Sequence, residues 1–408
     1  MKVVLISNFY NPYIIGGAEL VVENYVNALS KKINSIVLIT STERNKECIT
    51  DVNDNIKIYK IFPNNIYFNY PLKNNRNKII KYMWWTINLW NPFIYFKIKK
   101  ILDEEKPDLI NIHNYFTLSP SVFNAAFSLK CPVIYTAHDY YSLCKNSSFL
   151  KNGNICVKRC LSCRLLGWWN KLFMKNVIYH FLSSYSKYVF DKYISIDKHI
   201  ILHNSSYYDE GTIKDNIENK YKENNDNIIR YLYLGRLSKH KGIITLLEAF
   251  LKVRNDNVML LIGGEGEQKT EVESYIKRDK RIRYLGFVSG KNKKDVLLKA
   301  DVFILPSEWY EVSPLAIQEA YAFGLPVIAS NIGSIPEHII VNRTGWLFRK
   351  GDAEDLTEKI EYVSNNRDVL MDMSKACFNS ALNSNTDKNI DTIIKYWKEL
   401  LNSRRNPS

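Results

Sequence analysis

Short apolar runs alternate with amphipathic stretches along most of the chain, and this alternation predicts strands followed by helices. In the first half, buried strands are predicted at five places: Val3–Ser7, Ile36–Thr40, Leu109–His113, Val133–Ala137 and Ile200–His203. Apolar residues at near-helical spacing predict a helix over Ala18–Lys31. Ser183–Ser195 is expected to hold a helix and a following strand. Strands that alternate with helices favour parallel sheets built from βαβ units.

The same pattern starts again after a polar stretch in the middle of the chain. Tyr207 to Asn227 is rich in Asn and Lys, which makes it the predicted domain boundary. A helix over Ile243–Leu251 is expected beyond it, together with five strands: Ile229–Gly235, Met259–Gly263, Ile282–Tyr284, Val302–Leu305 and Val327–Ser330. The pattern therefore predicts two α/β domains, residues 1–206 and 207–385, and a terminal helix with a frayed end over 386–408.

The composition favours two folded domains and a negatively charged partner. The 408 residues match two domains of about 100–200 residues each. The net charge of +14 favours a phosphate-bearing ligand or an anionic membrane surface. Nucleic acid is not expected as a partner, because the basic residues are dispersed and no zinc-finger, RRM or basic-helix motif is present.

Long apolar stretches are missing from the sequence, and this sets the expected location. No run reaches the ~18 consecutive apolar residues of a membrane-spanning helix. Met1 to Ile6 is too short for a signal peptide, and polar Asn8 and Asn11 follow at once. We therefore expect a cytoplasmic protein with reduced cysteines.

Two carboxylates stand eight residues apart in the segment EVSPLAIQE, with Glu311 in a loop after a predicted strand and Glu319 in the next helix. In an open α/β sheet, ligands gather at the carboxyl ends of strands and the amino ends of helices. Four backbone N–H groups are expected to point at an anion there, those of Val312, Ser313, Pro314 and Leu315. Such a site suits a nucleotide sugar, which carries phosphates and vicinal hydroxyls. Two solvated helix residues are the alternative.

The surrounding sequence, PSEWYEVSPLAIQEAYAFGLPVIAS, resembles the E-x7-E signature of the retaining family-4 glycosyltransferases with the GT-B fold. The resemblance covers most of the chain and is most specific over residues 229–346. It implies two Rossmann-like doubly wound domains, an active site in the interdomain cleft, and a last helix that crosses back towards the first domain. It also implies that Glu311 contacts the donor sugar and that Glu319 holds the ribose hydroxyls.

A basic loop that starts at Gly235 follows the first strand of the second half. Arg236 and Lys241 stand five residues apart at the mouth of a predicted helix, where two cations suit a diphosphate. A solvated basic loop is the alternative. In the family that the chain resembles, the matching Arg and Lys stabilise the leaving nucleoside diphosphate, largely without a metal. No cofactor is therefore expected for catalysis.

Glycines follow several predicted strands, where they let backbone amides approach a ligand closely. Gly17 stands in GGAE after the first strand, and Gly263 and Gly264 follow a later one. The first motif is not G-x-G-x-x-G, so no dinucleotide-binding fingerprint is predicted. The resemblance implies that Gly17 faces the donor phosphate, that the later pair lies by the nucleotide, and that Phe287 and Val288 contact the base. Turn glycines and core residues are the alternative.

Two histidines end successive predicted strands, His113 in NIHN and His138 in AHDYY. Both fall on the ligand edge of an α/β sheet, although a lone histidine there is more often structural. The resemblance implies that His113 lies near the donor sugar, and we expect Asp139 to orient an acceptor hydroxyl. No pair of carboxylates at strand ends marks a base and a nucleophile. This fits front-face attack, in which the leaving phosphate takes the acceptor proton.

Four of the seven cysteines lie within twenty residues: Cys144, Cys156, Cys160 and Cys163. Thiolates at this spacing suit tetrahedral structural zinc in a reducing compartment. A disulfide pair or free buried thiols is the alternative. Because the cluster directly follows Asp139, we expect it to shape a lid on the acceptor side.

Lys78 to Leu102 mixes lysines with large aromatic residues, among them Trp84, Trp85, Trp90, Phe93, Tyr95 and Phe96. The mixture is typical of an interfacial membrane contact. A buried helix pair under a basic surface is the alternative.

Taken with the resemblance, these features predict a retaining hexosyltransferase that uses a UDP- or GDP-sugar. A glycan or lipid-linked acceptor is expected, in surface polysaccharide biosynthesis at the inner face of the membrane. One alternative is a nucleotide-sugar epimerase of the same fold, which would need acid and base residues in its cleft. The other is a catalytically silent protein that binds a sugar nucleotide or a membrane.

Overall fold

The computed structural model describes residues 1–70, 76–151, 153–205 and 227–405. These residues form two compact units that do not follow chain order. The first unit contains the described residues of Met1–Ser148, Lys158–His203 and Thr386–Ser408, and the second contains those of Phe149–Val157 and Asn204–Asn385. The predicted boundary at residues 207–227 lies outside the described residues, except for Asn227.

The described strands are, in chain order, β1 Lys2–Ser7, β2 Ser35–Ser41, β3 Cys48–Asn53, β4 Ile56–Ile61, β5 Leu109–Ile112, β6 Val133–Ala137, β7 Leu150–Lys151, β8 Asn154–Ile155, β9 Ile178–Phe181, β10 His199–Ile201, β11 Ile229–Leu234, β12 Val258–Gly263, β13 Ile282–Gly286, β14 Val302–Leu305, β15 Val327–Ser330 and β16 Gly345–Phe348.

The described α-helices are α1 Gly17–Leu29, α2 Lys78–Leu89, α3 Pro92–Glu105, α4 Ser121–Phe127, α5 Leu161–Phe173, α6 Ser184–Asp191, α7 Ile243–Lys252, α8 Lys269–Arg278, α9 Gly290–Lys299, α10 Leu315–Ala322, α11 Ala353–Asn365, α12 Val369–Asn383 and α13 Thr386–Arg405.

The first unit is built on an eight-stranded sheet in the order β10-β9-β6-β5-β1-β2-β4-β3. Its strand pairs are parallel except for β3, which lies antiparallel to β4 at one edge. In the central strand β1, Val3 through Ile6 have no exposed surface. A strand buried on both faces is typical of a parallel sheet covered by helices on each side. The last helix, α13, packs against α1 in this unit.

The second unit is built on a six-stranded parallel sheet in the order β13-β12-β11-β14-β15-β16. Successive residues of β11 enter different cores, since Tyr231 and Tyr233 belong to one buried cluster and Leu232 to the other. Helices α7 and α11 cover the first cluster, and α10 and α12 contribute to the second. Both faces are therefore covered, and the α/β class with two parallel-sheet domains is confirmed.

Strands β6, β14 and β15 have their predicted bounds, but β4, β9 and β16, which are mostly buried, were not predicted. The strand predicted after the helix of Ser183–Ser195 is wrong, because β9 precedes that helix instead. The edge strand β3 was not predicted, because its residues are all exposed and lack a buried face. The short excursion 149–157, which belongs to the second unit, was not predicted either. Among the described residues, no helix has both the length and the apolar character to cross a membrane.

Candidate active site

The loops at the carboxyl edge of the second unit's sheet are joined to one another through backbone hydrogen bonds. Gly235 N–H donates to the Gly263 carbonyl at 3.0 Å, and Leu237 N–H donates to the Glu265 carbonyl at 2.9 Å. Gly264 N–H donates to the carbonyl of Gly286, at the end of β13, at 2.8 Å. The loops after β11, β12 and β13 therefore form one continuous rim at the ligand edge of the sheet.

Two glycines are required in this rim by close backbone approach. A Cβ on Gly264, which has φ +146°, would lie 1.8 Å from the Gly235 carbonyl oxygen. A Cβ on Gly242, which has φ +71°, would lie 1.8 Å from the Pro306 carbonyl oxygen. These glycines let one loop pack closely on another. For Gly264, this is the turn role that the sequence analysis gave as the alternative to ligand contact.

Glu311 is the centre of the polar groups in the second unit. Its Oε1 atom accepts hydrogen bonds from Lys241 Nζ at 2.7 Å, Ser307 Oγ at 2.7 Å and Trp309 Nε1 at 2.8 Å. Lys241 Nζ also lies 5.0 Å from the centroid of the Trp309 ring. The side chain of Glu311 is 8% exposed and that of Lys241 is 25% exposed, so this pair is largely desolvated.

Glu311 stays ionised although it is buried. Burial alone would raise the pKa of Glu311, but the charge of Lys241 and the hydrogen bonds from Lys241, Ser307 and Trp309 hold it below its usual value. A buried ion pair of this kind costs desolvation energy and needs good geometry to be retained. The arrangement therefore fixes a cation and a carboxylate at the rim of the sheet.

Arg236 belongs to the same electrostatic neighbourhood. Its guanidinium is exposed and lies 3.8 Å from Glu267. His240 senses these charges through its pKa. Burial and the charge of Lys241 lower the pKa of His240, Glu311 and Glu267 raise it, and Arg236 lowers it. The structure thus brings Lys241 and Glu311 into contact, while Arg236, in the same loop as Lys241, lies beside Glu267.

The predicted anion site at the start of α10 needs a correction. Pro314 is a proline and has no backbone N–H, so it cannot donate to an anion. Val312, Ser313 and Leu315 remain as N–H donors, and Ser313 Oγ additionally accepts from Asn204 N–H at 3.2 Å. The site therefore offers fewer donors than the sequence analysis counted.

The second predicted carboxylate already has a partner. Glu319 lies on α10, and its Oε1 atom accepts from Lys293 Nζ of α9 at 2.6 Å. Both side chains are about 30% exposed, so this pair lies at the surface. The structure thus places Glu319 beside a lysine that the sequence analysis did not single out.

The predicted base-contacting pair also lies at this rim. Phe287 is 74% exposed. Val288 packs over the end of β12, since a Cβ on Gly263 would lie 2.9 Å from its Cγ2 atom. An exposed ring beside a packed aliphatic side chain offers a surface on which a base can lie.

The first helix of the first unit is capped by its own glutamate. α1 begins at Gly17, and Glu19 Oε2 accepts from Gly16 N–H at 2.9 Å and from Ile15 N–H at 3.3 Å. Burial raises the pKa of Glu19, and these N–H groups oppose that rise. The backbone N–H groups just before Gly17 are therefore used within the loop itself.

Three histidines lie on or directly after adjacent strands of the first unit: His113 follows β5, His138 follows β6, and His180 lies in β9. His113 Nδ1 and His138 Nε2 are 2.8 Å apart, and their rings stack with centroids 5.1 Å apart. Burial lowers the pKa of His113, His138 and His180, to about 3 for His138 and about 4 for His180. All three are therefore neutral in the fold. His113 has no exposed surface, so direct contact with a sugar would need a change in the side chains that cover it.

Asp139 lies next to this histidine row and keeps some exposed surface. Its Oδ1 atom accepts from Tyr141 N–H at 2.7 Å. Desolvation raises the pKa of Asp139 to about 6, the Tyr141 N–H opposes the rise, and the charge of Glu19 adds to it. A carboxyl group with a pKa near neutrality is suited to accept or share a proton with a hydroxyl.

Several residues of these two groups were missed by the sequence analysis. Ser307 and Trp309 hold Glu311 in place, and both lie in the sequence PSEWYE, which ends at Glu311. His138, which is partly exposed, lies within hydrogen-bond distance of buried His113. The doublet of His138 with Asp139 was visible in the sequence, but only the aspartate was assigned a role.

The cysteine cluster holds thiols at close range without a complete metal site. Cys144 Sγ and Cys163 Sγ are 3.9 Å apart and both side chains are buried. A hydrogen bond from Ser162 lowers the pKa of exposed Cys160 to about 6. Within the described ranges, no group of three or more His, Cys, Asp or Glu residues is placed to hold a metal ion. The zinc stays a prediction.

Two protein-family models match the chain one after the other. The model described as Glycosyltransferase Family 4 matches residues 15–172, which include His113 and Asp139. The model described as Glycosyl transferases group 1 matches residues 213–380, which include Lys241 and Glu311. Both groups of candidate residues therefore lie inside matched regions.

Individual proteins resemble the chain over different lengths. A Klebsiella pneumoniae protein described as an uncharacterized 42.6 kDa protein in the cps region is 29% identical over 348 residues, covering 83% of this chain and 87% of that protein. An Escherichia coli protein, named UDP-Gal:alpha-D-GlcNAc-diphosphoundecaprenol alpha-1,3-galactosyltransferase, is 32% identical over 181 residues, 42% of this chain and 46% of that protein.

Solved structures resemble the chain over nearly its whole length. The sucrose-phosphate synthase of Thermosynechococcus elongatus matches with a TM-score of 0.77 over 98% of this chain and 99% of that chain, at 18% identity. At this identity the likeness establishes the fold alone.

Proposed function

Because this chain belongs to the glycosyltransferases of the GT-B fold, we propose that it moves a hexose from a nucleoside diphosphate sugar to a glycan or lipid-linked acceptor, with retention of configuration. The reaction breaks the bond between the anomeric carbon and the diphosphate oxygen. It forms a bond from the same carbon to an acceptor oxygen. The acceptor proton goes to the leaving phosphate.

The observation that carries this proposal is the buried pair of Lys241 with Glu311. A leaving diphosphate gains negative charge as the glycosidic bond breaks, and a fixed cation in a desolvated site stabilises that charge. Glu311 holds the Lys241 side chain in place, because Lys241 Nζ donates to Glu311 Oε1 at 2.7 Å and the carboxylate is largely buried. Exposed Arg236 supplies a second cation nearby. These two side chains take the role of the counter-charge that a metal ion provides in other sites.

Glu311 has a second role in the proposal. Its three hydrogen bonds converge on Oε1, and Oε2 is the carboxylate oxygen that those bonds do not use. An ionised oxygen in this position is suited to accept a hydrogen bond from a donor sugar hydroxyl. Glu319 would hold the ribose hydroxyls after its surface contact with Lys293 is exchanged for the nucleotide.

The first unit is proposed to receive the acceptor. Asp139, with a pKa of about 6, would orient an acceptor hydroxyl, and the neutral histidine row behind it would supply uncharged hydrogen-bonding groups. Such groups suit sugar hydroxyls better than phosphates. The E. coli relative is named for a UDP-Gal donor and a diphosphoundecaprenol-linked acceptor, and the K. pneumoniae relative for a cps region. These names support a UDP-sugar and a lipid-linked glycan in polysaccharide biosynthesis as the first pair to test.

A donor screen followed by product analysis tests the proposal. The protein is incubated with UDP-, GDP-, ADP- and TDP-hexoses with and without lipid-linked acceptors, and the linkage formed is assigned by NMR. We expect transfer that depends on the acceptor, an anomeric configuration equal to that of the donor, and activity that persists with a metal chelator. Lys241→Met should lower transfer by about 10²–10³-fold, and the surface variant Lys252→Ala, which removes another lysine paired to a glutamate, should leave it unchanged.

Two outcomes would contradict the proposal. Conversion of the donor alone into its epimer would favour an epimerase. An inverted product would leave the family unchanged but end the proposed retaining chemistry.

A further inference from the structure

Helix α5 carries an apolar stripe on the side that faces solvent. Its buried residues, Cys163, Leu166, Gly167 and Asn170, occupy one face. On the opposite face, four large apolar side chains at i, i+4, i+7 and i+11 are exposed, namely Leu161, Leu165, Trp168 and Leu172. Trp168 is 60% exposed. A surface helix normally places polar residues on this face, so the stripe lacks the partner that its composition calls for.

Helix α2 repeats the arrangement. Trp84 and Asn88 are buried, and the opposite face exposes four large apolar side chains at helical spacing, Ile79, Tyr82, Met83 and Ile87. Phe93 and Phe96 at the start of α3 are also exposed, by 59% and 66%. These residues fall in the segment for which the sequence left open a membrane contact or a buried helix pair. The helices are partly buried, but the buried-pair alternative does not account for their second apolar face.

The two stripes lie on neighbouring elements of one unit. The indole N–H of Trp169 on α5 donates to the carbonyl of Leu89, the last residue of α2, at 2.8 Å. Asn170 of α5 donates to the Ser142 carbonyl at 3.1 Å, which anchors the buried face of the same helix. Both helices are thus held to the fold by their inner faces, which leaves the outer stripes available.

Helices α2 and α5 contain no acidic residue, whereas α3 ends with Asp103, Glu104 and Glu105. Residues 55–102 hold nine Lys and Arg residues with no Asp or Glu, and residues 140–190 hold eight with none. Together these segments contribute +17, more than the +14 of the whole chain. Lys81 of α2 and Lys171 of α5 are exposed beside the stripes. An apolar stripe with basic residues and no acidic ones complements a surface that is apolar inside and anionic outside.

We propose that the outer faces of α2 and α5, with the start of α3, form a docking surface for an anionic phospholipid bilayer. The four α5 side chains and the α2 stripe enter the boundary between headgroups and acyl chains. The lysines remain at the headgroup phosphates, as long basic side chains do at interfaces. The helices lie on the membrane and do not cross it, in keeping with their lengths of 12 and 13 residues. The surface belongs to the first unit and includes neither Lys241 nor Glu311, which belong to the second, so the proposal does not depend on the transfer reaction.

Vesicle binding by the full chain tests this surface. Flotation with phosphatidylglycerol-containing vesicles is compared with flotation on pure phosphatidylcholine vesicles. We expect preferential binding to the anionic vesicles and weakening by added salt. The combined variant Leu165→Ser, Trp168→Ser and Leu172→Ser should bind the anionic vesicles about tenfold or more weakly, because three exposed apolar side chains that would enter the bilayer are lost. Lys81→Glu with Lys171→Glu, which leaves the apolar stripes intact, should weaken binding about fivefold or more.

A matched control distinguishes binding through this surface from nonspecific binding through exposed apolar side chains. The variant Ile340→Ser, Val341→Ser and Met371→Ser removes three exposed apolar side chains of the second unit, and it should bind vesicles as the unchanged protein does. Thermal melting verifies that each variant folds.

Three results would overturn the proposal. One is equal vesicle binding by the stripe variant and the unchanged protein. Another is equal loss in the control variant. The third is self-association in sedimentation that the stripe variant abolishes while the unchanged protein ignores vesicles, since a second copy would then cover the stripes.

Discussion

In the second unit, the burial of Glu311 is offset by Lys241, Ser307 and Trp309, and the carboxylate stays ionised. In the first unit, burial acts on Asp139 together with the charge of Glu19, the Tyr141 N–H opposes them, and the pKa rises to about 6. Both carboxyl groups come from strand-end loops of parallel sheets. Their neighbours, more than their positions in the fold, therefore decide their charge.

This difference fits two kinds of ligand group. A paired cation and carboxylate keep full charge at neutral pH, and charge is what a departing diphosphate requires. Neutral histidines beside a carboxyl of near-neutral pKa match hydroxyl groups, whose protons are shared and not fully transferred. Substitutions that remove the charge of one carboxyl group or of its partner test whether each site needs its own charge state.

The largest effect is expected from breaking the pair in the second unit. Lys241→Met leaves Glu311 buried without its cation, which costs up to about 3 kcal/mol in the free energy of unfolding. Transfer should fall by about 10²–10³-fold in kcat. Glu311→Gln, which keeps the shape and removes the charge, should lose activity with a smaller change in stability. Denaturant unfolding and steady-state rates measure both, and equal activity in Lys241→Met would contradict the assigned role.

The next effect is expected at Asp139. If its ionised form orients the acceptor, kcat/KM should rise with pH through about 6. Asp139→Asn should be about tenfold to a hundredfold less active at about pH 7 and should lack that rise. A pH profile for the acceptor, recorded at saturating donor, is the measurement. An unchanged inflection in Asp139→Asn would assign it to another group.

Stability should respond to the histidine row. The folded pKa of His138, about 3, lies below the unfolded value of about 6.5, so its contribution to stability is present above about pH 6.5 and is lost as the pH falls towards the folded value. His113 and His180 act in the same direction, whereas Asp139, whose pKa is raised, acts in the opposite one.

Melting temperatures at about pH 7 and about pH 5 measure this response. We expect a lower melting temperature at the lower pH and a smaller drop in His138→Gln. Exposed His199 provides the control, since His199→Gln should leave the drop unchanged. If the melting temperature falls equally in both variants, His138 does not contribute to the pH dependence of stability.

The smallest effect is expected at the surface pair of the second unit. Lys293→Ala releases Glu319, but pairs this exposed contribute little, and the free energy of unfolding should change by less than about 0.5 kcal/mol. Donor affinity should change by less than about threefold, because Glu319 keeps its carboxylate. Calorimetric titration with the donor identified by the screen would detect a larger change, which would mean that Lys293 itself contacts the nucleotide.

Much of the fold followed from local sequence patterns. Strands such as β6 and β14 were predicted with the bounds that the structure has, because apolar runs next to helices leave few other structures. The GT-B fold and the glycosyltransferase family are confirmed as well. Strand β3 was missed because none of its side chains is buried, so no apolar pattern marks it.

The sequence predicted which residues belong to the candidate site, but not which side chains contact each other there. Lys241 and Glu311 were each assigned to the same ligand, yet their ion pair joins positions 70 apart in the chain and depends on how two loops pack. The desolvation of His113 depends on neighbours such as the ring of Tyr25 from α1, which no local pattern reveals. Pro314 is the opposite case, since its missing N–H was readable from its residue type. Helix α5 was missed because the cysteine spacing there was interpreted as a metal motif.

The position of α13 bears on the order in which the protein is made. Ile390 and Trp397 of this helix are buried, Lys32 Nζ donates to Asp391 Oδ1 at 2.7 Å, and Asn389 Nδ2 donates to the His203 carbonyl at 2.9 Å. Nearly two hundred residues of the second unit are translated between His203 and this helix. At the ribosome, the first unit therefore begins to form early but cannot complete its surface until residues 386–405 have been translated, and a message cut short after the second unit would yield an incomplete first unit.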